Sequence, residues 1–138
     1  MSDQTSADTE SQGVGTLELK HYLTILASWV VPGAGHLLLG RRDRAVVFFL
    51  LILVSLLIGC LLDGNLHRML PDQPLTVLAT LGSMGMGAPY FILRYLVGYQ
   101  GEVVSAGYEY GTAFILTAGL MNLLLILDVW DILRGRKE

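Results

Sequence analysis

Apolar residues gather along this chain in four blocks, residues 22–39, 45–62, 75–93 and 110–127, and none of the four contains Asp, Glu, Lys or Arg. A helix rises about 1.5 Å per residue, so each block matches the hydrocarbon thickness of a bilayer. Backbone polar groups in lipid are satisfied only within helices or closed barrels. The pattern predicts an all-α fold: an integral membrane bundle of four transmembrane helices, the third continuing to residue 97. Three crossings with a re-entrant third segment are the alternative.

The breaks between and within the blocks refine this picture. Only Gly40, Arg41, Arg42, Asp43 and Arg44 separate the first two blocks, which must then be antiparallel neighbours. Pro32 removes a backbone donor, and Gly33 and Gly35 add flexibility beside it, so the first helix is expected to kink or open there. The third block carries Ala79, Ser83 and Gly87 at intervals of four, a small-residue ladder that lets another backbone approach closely. Gly82, Gly85 and Pro89 weaken the same helix near its middle. Residues 63–65 read as a turn, and residues 66–71 as a short interfacial helix stopped by Pro71.

Composition supports lipid as the solvent. The chain of 138 residues is 53% hydrophobic and 15% charged, with a mean hydropathy of +0.57, more apolar surface than a small soluble domain can bury. A net charge of −3 and a pI near 5.5 exclude a nucleic-acid partner and a polybasic lipid clamp. Residues 1–19 are polar and read as a disordered tail, residues 20–133 as the transmembrane domain, and residues 134–138 as a basic end. The start lacks the basic region of a secretory signal, so the first block is expected to stay in the protein. Lone Cys60 offers no disulfide or zinc pattern and reads as a small buried residue.

Four crossings leave orientation nearly balanced. Lys20, Arg68, Arg134, Arg136 and Lys137 fall on one side, and Arg41, Arg42, Arg44 and Arg94 on the other. Both termini are placed in the cytoplasm, which leaves the tail untranslocated and the loop with Glu102 and Glu109 outside. Three crossings would put Arg41 to Arg44 and the basic C-terminus inside together.

The run Pro32-Gly33-Ala34-Gly35-His36-Leu37-Leu38-Leu39-Gly40-Arg41-Arg42-Asp43-Arg44-Ala45 resembles the TM2-domain hairpin, in which a glycine-rich first helix ends in a Gly-Arg turn. The ending, from Tyr108-Glu109-Tyr110-Gly111 through Ala118-Gly119-Leu120-Met121-Asn122 to Leu127-Asp128-Val129-Trp130-Asp131, is similar to an uncharacterised bacterial family of small membrane proteins that carries the same hairpin. The resemblance implies a multi-pass protein of the bacterial inner membrane and supplies no catalytic residues.

Residues able to do chemistry are few. His36 could in principle ligate haem or a metal, but His21 and His67 fall at the opposite face in a four-crossing arrangement, so a structural hydrogen bond is the expectation. Arg94 lies shallowly inside the third segment and is expected to pair with Glu102 or Glu109. His36, Arg41, Arg42, Arg44, Arg94, Glu102 and Glu109 would converge on one face as a candidate polar cluster. Asn122, mid-block, is expected to hydrogen-bond a neighbouring helix and joins Ala79, Ser83 and Gly87 as a packing residue. Trp130 is an interface anchor beside Asp128 and Asp131, and Tyr90, Tyr95, Tyr99, Tyr108 and Tyr110 form an aromatic belt at the other interface. No nucleophile with a base, paired carboxylates or phosphate loop is present. The sequence predicts a non-enzymatic membrane component without cofactor, packing against lipid, itself or a larger complex. A small transporter or channel using the breaks at Pro32 and Gly82 to Gly87 is the alternative.

Overall fold

A computed structural model describes residues 2–68 and 70–135 of the chain, without the side chains of residues 2–12 and 14. The helices are α1 (Ser2–Val30), α2 (Ala34–Leu38), α3 (Arg42–Leu61), α4 (Pro74–Met84), α5 (Ala88–Phe91) and α6 (Tyr108–Leu133). A π-helical stretch, Ile92–Val97, continues α5, and there is no strand among the described residues.

The spine is the antiparallel pair α3 and α6, the two uninterrupted apolar runs. Gly59 on α3 and Gly111 on α6 bring the backbones together at one end, where a Cβ on Gly111 would stand 2.7 Å from the Gly59 carbonyl oxygen. The Ser55 hydroxyl donates to the Phe114 carbonyl at 2.9 Å one turn further along. At the other end Phe48 of α3 and Leu125 and Asp128 of α6 line one cavity. The spine thus has a Gly64 end, where α3 stops and α6 starts, and an Arg42 end, where α3 starts and α6 stops. α3 stops in a Schellman turn: Gly64 N–H donates to Gly59 O and Asp63 N–H to Cys60 O, with Asp63 in the left-handed region at φ 58°.

The two remaining apolar blocks are broken hairpins. α1 runs alongside the last turns of α6, where His21, Tyr22 and Ile25 face Trp130, Leu133 and Arg134. It ends at Val30 because Pro32 cannot continue the ladder. Gly33, at φ 82°, reverses the chain, and α2 folds back so tightly that any side chain on Gly35 would overlap the Ser28 hydroxyl. The first hairpin therefore enters from the Arg42 end and returns to it. The second mirrors it from the Gly64 end. α4 starts with Pro74 at its first position, packs Gly82 beside Leu116 and Leu120 of α6, and stops at Gly85. Gly87, at φ 77°, turns the chain, and the helix Ala88–Val97 leaves α4 at an angle of 114°. The base of this hairpin is closed: the Tyr99 hydroxyl donates to Gly64 O at 2.9 Å, and Glu102 N–H donates to Asp63 O at 3.0 Å.

Two helices, Arg42–Leu61 and Tyr108–Leu133, are long and apolar enough to cross a membrane, and a third qualifies only if the sharply bent pair counts as one span. Two long helices and two broken hairpins thus stand where four spans were expected. The weak points the sequence marked, Pro32-Gly33 and Gly85 to Gly87, reverse the chain rather than kinking it, and each return limb is held at its own end, by His36 with Asp128 and by Tyr99 with Gly64 O. Residues 66–68 are irregular where a short helix was expected. Leu66 plugs the core at 1% exposure, and the His67 carbonyl accepts the Tyr90 hydroxyl at 2.9 Å, bonds that an intrahelical ladder would forfeit. α1 reaches back to Ser2, so the stretch read as a polar tail is helical here; it holds no proline, and the apolar helix that follows supplies the nucleus.

The Tyr99 bond has a solution consequence. Burial, first, and the nearby Cys60 thiol push the Tyr99 phenol up to about 12, so it stays a neutral donor. An unfolded tyrosine loses its proton near pH 10. The stabilising contribution is therefore complete below pH 10 and falls away as the pH rises from about 10 to 12. Tyr99→Phe is expected to flatten that alkaline slope in a detergent unfolding series, while lowering stability at pH 7 by about 1 kcal/mol.

Candidate functional site

The two hairpin tips meet at mid-depth of the spine, and Asn122 of α6 joins them. Its amide nitrogen donates to Gly85 O at 2.8 Å and to Trp29 O at 3.3 Å, one acceptor from each hairpin. Asn122 is wholly buried, and its Oδ1 has no protein partner. The Trp29 indole closes the same junction by donating to Met84 O at 3.1 Å. Gly87 lies so near the Trp29 carbonyl that a Cβ could not fit. Around this point Ser83, Thr80 and Met86 are also buried. Ser83 and Thr80 return their hydroxyl protons to Ala79 O and Thr76 O, which leaves both oxygens' lone pairs unspent.

A second polar contact ties the first hairpin to the spine. His36 Nε2 lies 2.8 Å from Asp128 Oδ2, with His36 fully buried and Phe48 tilted against its ring at 5.5 Å. His36 Nδ1 has no protein partner. The contact fixes α2 at the end of α6. Truncating His36 to Ala removes a buried ring and leaves the carboxylate without this partner, and is expected to cost about 3 kcal/mol in reversible unfolding. Asp128→Asn preserves a hydrogen-bonding group and is expected to cost about 1 kcal/mol.

The candidate residues separate. His36, Arg41, Arg42 and Arg44 lie at the Arg42 end, whereas Arg94, Glu102 and Glu109 belong to the hairpin, loop and helix start at the Gly64 end. They do not converge, because the helix Ala88–Val97 leads back to the Gly64 end, where Tyr99 bonds Gly64 O. Arg94 lies 5.9 Å from the Tyr95 ring centre, and among the described residues it forms no ion pair with Glu102 or Glu109. His21 sits near Arg134, at the same end as His36 and not opposite it, since the first block also turns back. Of the packing residues, Ser83, Gly87 and Asn122 face the interior, and Ala79 lines a groove between α4 and α6. Gly119 completes that contact, its Cβ position being filled by the Gly82 carbonyl. Among the described residues no group of three metal-binding side chains comes together.

The pairing of His36 with Asp128 was not anticipated, because four crossings set them on opposite faces. Asp128, an acid within one residue of the last apolar block, was the available signal.

A family model matches residues 23–138. The chain belongs to DUF6677, a family of unknown function. The DUF6677 region begins one residue after the first apolar block opens and takes in both hairpin tips, the His36–Asp128 contact and the whole spine. No curated protein and no solved structure matches the chain significantly.

Proposed function

We propose that this DUF6677 protein is a non-enzymatic integral membrane protein of the bacterial inner membrane, with two crossings, α3 and α6, and two re-entrant hairpins inserted from opposite faces. The observation that carries this reading is the charge distribution the fold creates. Of the seven Lys and Arg among the described residues, only Arg68 and Arg94 belong to the Gly64 end. Lys20, Arg41, Arg42, Arg44 and Arg134 gather at the Arg42 end, and Arg136 and Lys137 follow directly on Arg134. The near balance of a four-crossing arrangement becomes a strong bias, which supports a cytoplasmic Arg42 end with both termini on the same side. An outward apolar surface supports lipid contact: Val46, Leu50, Leu53 and Leu57 of α3, with Leu120, Leu124 and Leu127 of α6, are all more than one third exposed.

A structural or accessory role agrees with how the buried polar side chains are spent. His36, Ser55 and Asn122 each tie one segment to another. The TM2-like hairpin belongs to the same proposal, as α2, its arginine turn and the start of α3. One observation favours the alternative of a small ion or solute carrier: two interrupted helices meet at the centre, the architecture secondary transporters use for binding sites.

Single cysteines decide the topology in three positions. In a Cys60→Ala background, Gly13→Cys, Asp43→Cys and Val104→Cys are probed with an impermeant maleimide in oriented vesicles. Two crossings place the first two in the cytoplasm and only the third outside. Four crossings put residues 43 and 104 together outside, and three put residues 13 and 104 outside; either pattern would sink the proposal.

A further inference from the structure

The central junction collects oxygen atoms and negative helix ends. α1 has 29 residues and α4 has 11, and they run inward from opposite ends of the spine with their C-termini, Trp29–Val30 and Met84–Gly85, at one point. A helix C-terminus carries roughly half a negative charge, offset in part here by the N-termini of α2 and of Ala88–Val97, which begin just beyond the two breaks. Like ends repel, and a low dielectric magnifies that repulsion. Asn122 offsets part of it by donating its two amide hydrogens to Trp29 O and Gly85 O. Those bonds fix the amide plane, so Oδ1 stays at the same junction, fully buried and without a protein donor. An unpaired amide oxygen in such a place costs free energy unless a ligand or water completes it.

Building on the two-hairpin membrane reading, we propose that the junction is a binding site for one dehydrated monovalent cation, Na⁺ or K⁺, held by Asn122 Oδ1 and by carbonyl oxygens at the ends of α1 and α4. Every candidate ligand there is a neutral hard oxygen, the donor set that suits an alkali cation, and among the described residues no carboxylate joins them to balance a divalent one. The Ser83 hydroxyl, buried on α4 with its proton turned back to Ala79, supplies a further acceptor on the same element. Gly87 keeps the site compact, since any side chain there would displace the Trp29 carbonyl.

The test uses the full chain in nanodiscs. Thermal unfolding is followed at constant ionic strength in NaCl, KCl, LiCl, CaCl₂ and choline chloride, with ²²Na⁺ binding measured by scintillation proximity. The expected result is a saturable rise of about 5 °C or more with one alkali cation, absent in choline and not exceeded by calcium. Saturable ²²Na⁺ binding that Asn122→Ala abolishes marks Na⁺; K⁺-selective stabilisation without it marks K⁺. If Asn122→Ala does not fold, the wild-type salt series decides alone. Identical midpoints in all five salts with no retained ²²Na⁺ would overturn the proposal and leave water as the partner of Oδ1. The cysteine pattern separates the two failures: if it holds while the salts are equivalent, only the cation site falls. If the pattern fails, the membrane reading falls and the site with it.

Discussion

Gly111→Leu is expected to abolish the folded protein, measured as loss of the monodisperse peak in detergent and of cooperative unfolding. A Cβ at this position would lie 2.7 Å from Gly59 O, 2.7 Å from Gly64 N and 2.8 Å from Gly64 Cα. All three neighbours are backbone, held by the Schellman turn that ends α3, so none can rotate away. Relief requires α3 and α6 to separate, and their separation costs the Ser55 bond and the interior packing of Ile115 against Gly59. Overpacking a core that can relax costs about 1–3 kcal/mol; here the whole spine must move, and the cost should exceed that range. Gly111→Ala is expected to show a smaller effect in the same direction. Gly13→Leu is the control, since nothing lies within 4 Å of its Cβ position. It should be silent.

Asn122→Leu is expected to lower unfolding stability by about 2–4 kcal/mol and to release both hairpins together. The leucine fills the volume but returns no donor, so Trp29 O and Gly85 O lose their shared partner while the opposed helix ends remain. Single hydrogen bonds between membrane helices average well under 1 kcal/mol, because the unfolded chain also finds partners. The larger figure here reflects two buried acceptors left open at once. Hydrogen exchange should reveal the coupling: amides around Val31 to Gly35 and around Gly85 to Gly87 gain exchange to a similar extent. Protection lost in only one hairpin would mean that Asn122 does not join them. Thr117→Val removes a hydroxyl of the same helix that donates within its own turn at an exposed position, and should change stability by less than about 0.5 kcal/mol.

The local elements were legible in the residues themselves. Uninterrupted apolar runs after Arg44 and after Tyr108 became α3 and α6, and proline or glycine at Pro32 and Gly85 to Gly87 interrupted the other two blocks where a hydrogen-bond ladder cannot continue. Asn122 stood out because an amide in the middle of an uncharged block of 18 residues must find a partner. What pattern did not reveal was direction. A proline-glycine break permits a kink and a reversal alike, and the choice rests on contacts between residues far apart in the chain: Ser28 against Gly35, His36 with Asp128, and Gly64 with Tyr99.

By itself, then, the sequence determined the helical class, the two unbroken helices long and apolar enough to cross a membrane, and the places where the chain must bend. Those properties follow from hydrophobicity and backbone chemistry, which act over a few residues. Tertiary structure decided that both broken blocks turn back. That choice put the candidate cations Arg41 to Arg44 at the opposite end from Arg94, and brought two helix C-termini onto one asparagine. Packing energy and charge opposition act through space, and only the folded backbone sets which distant residues share a depth.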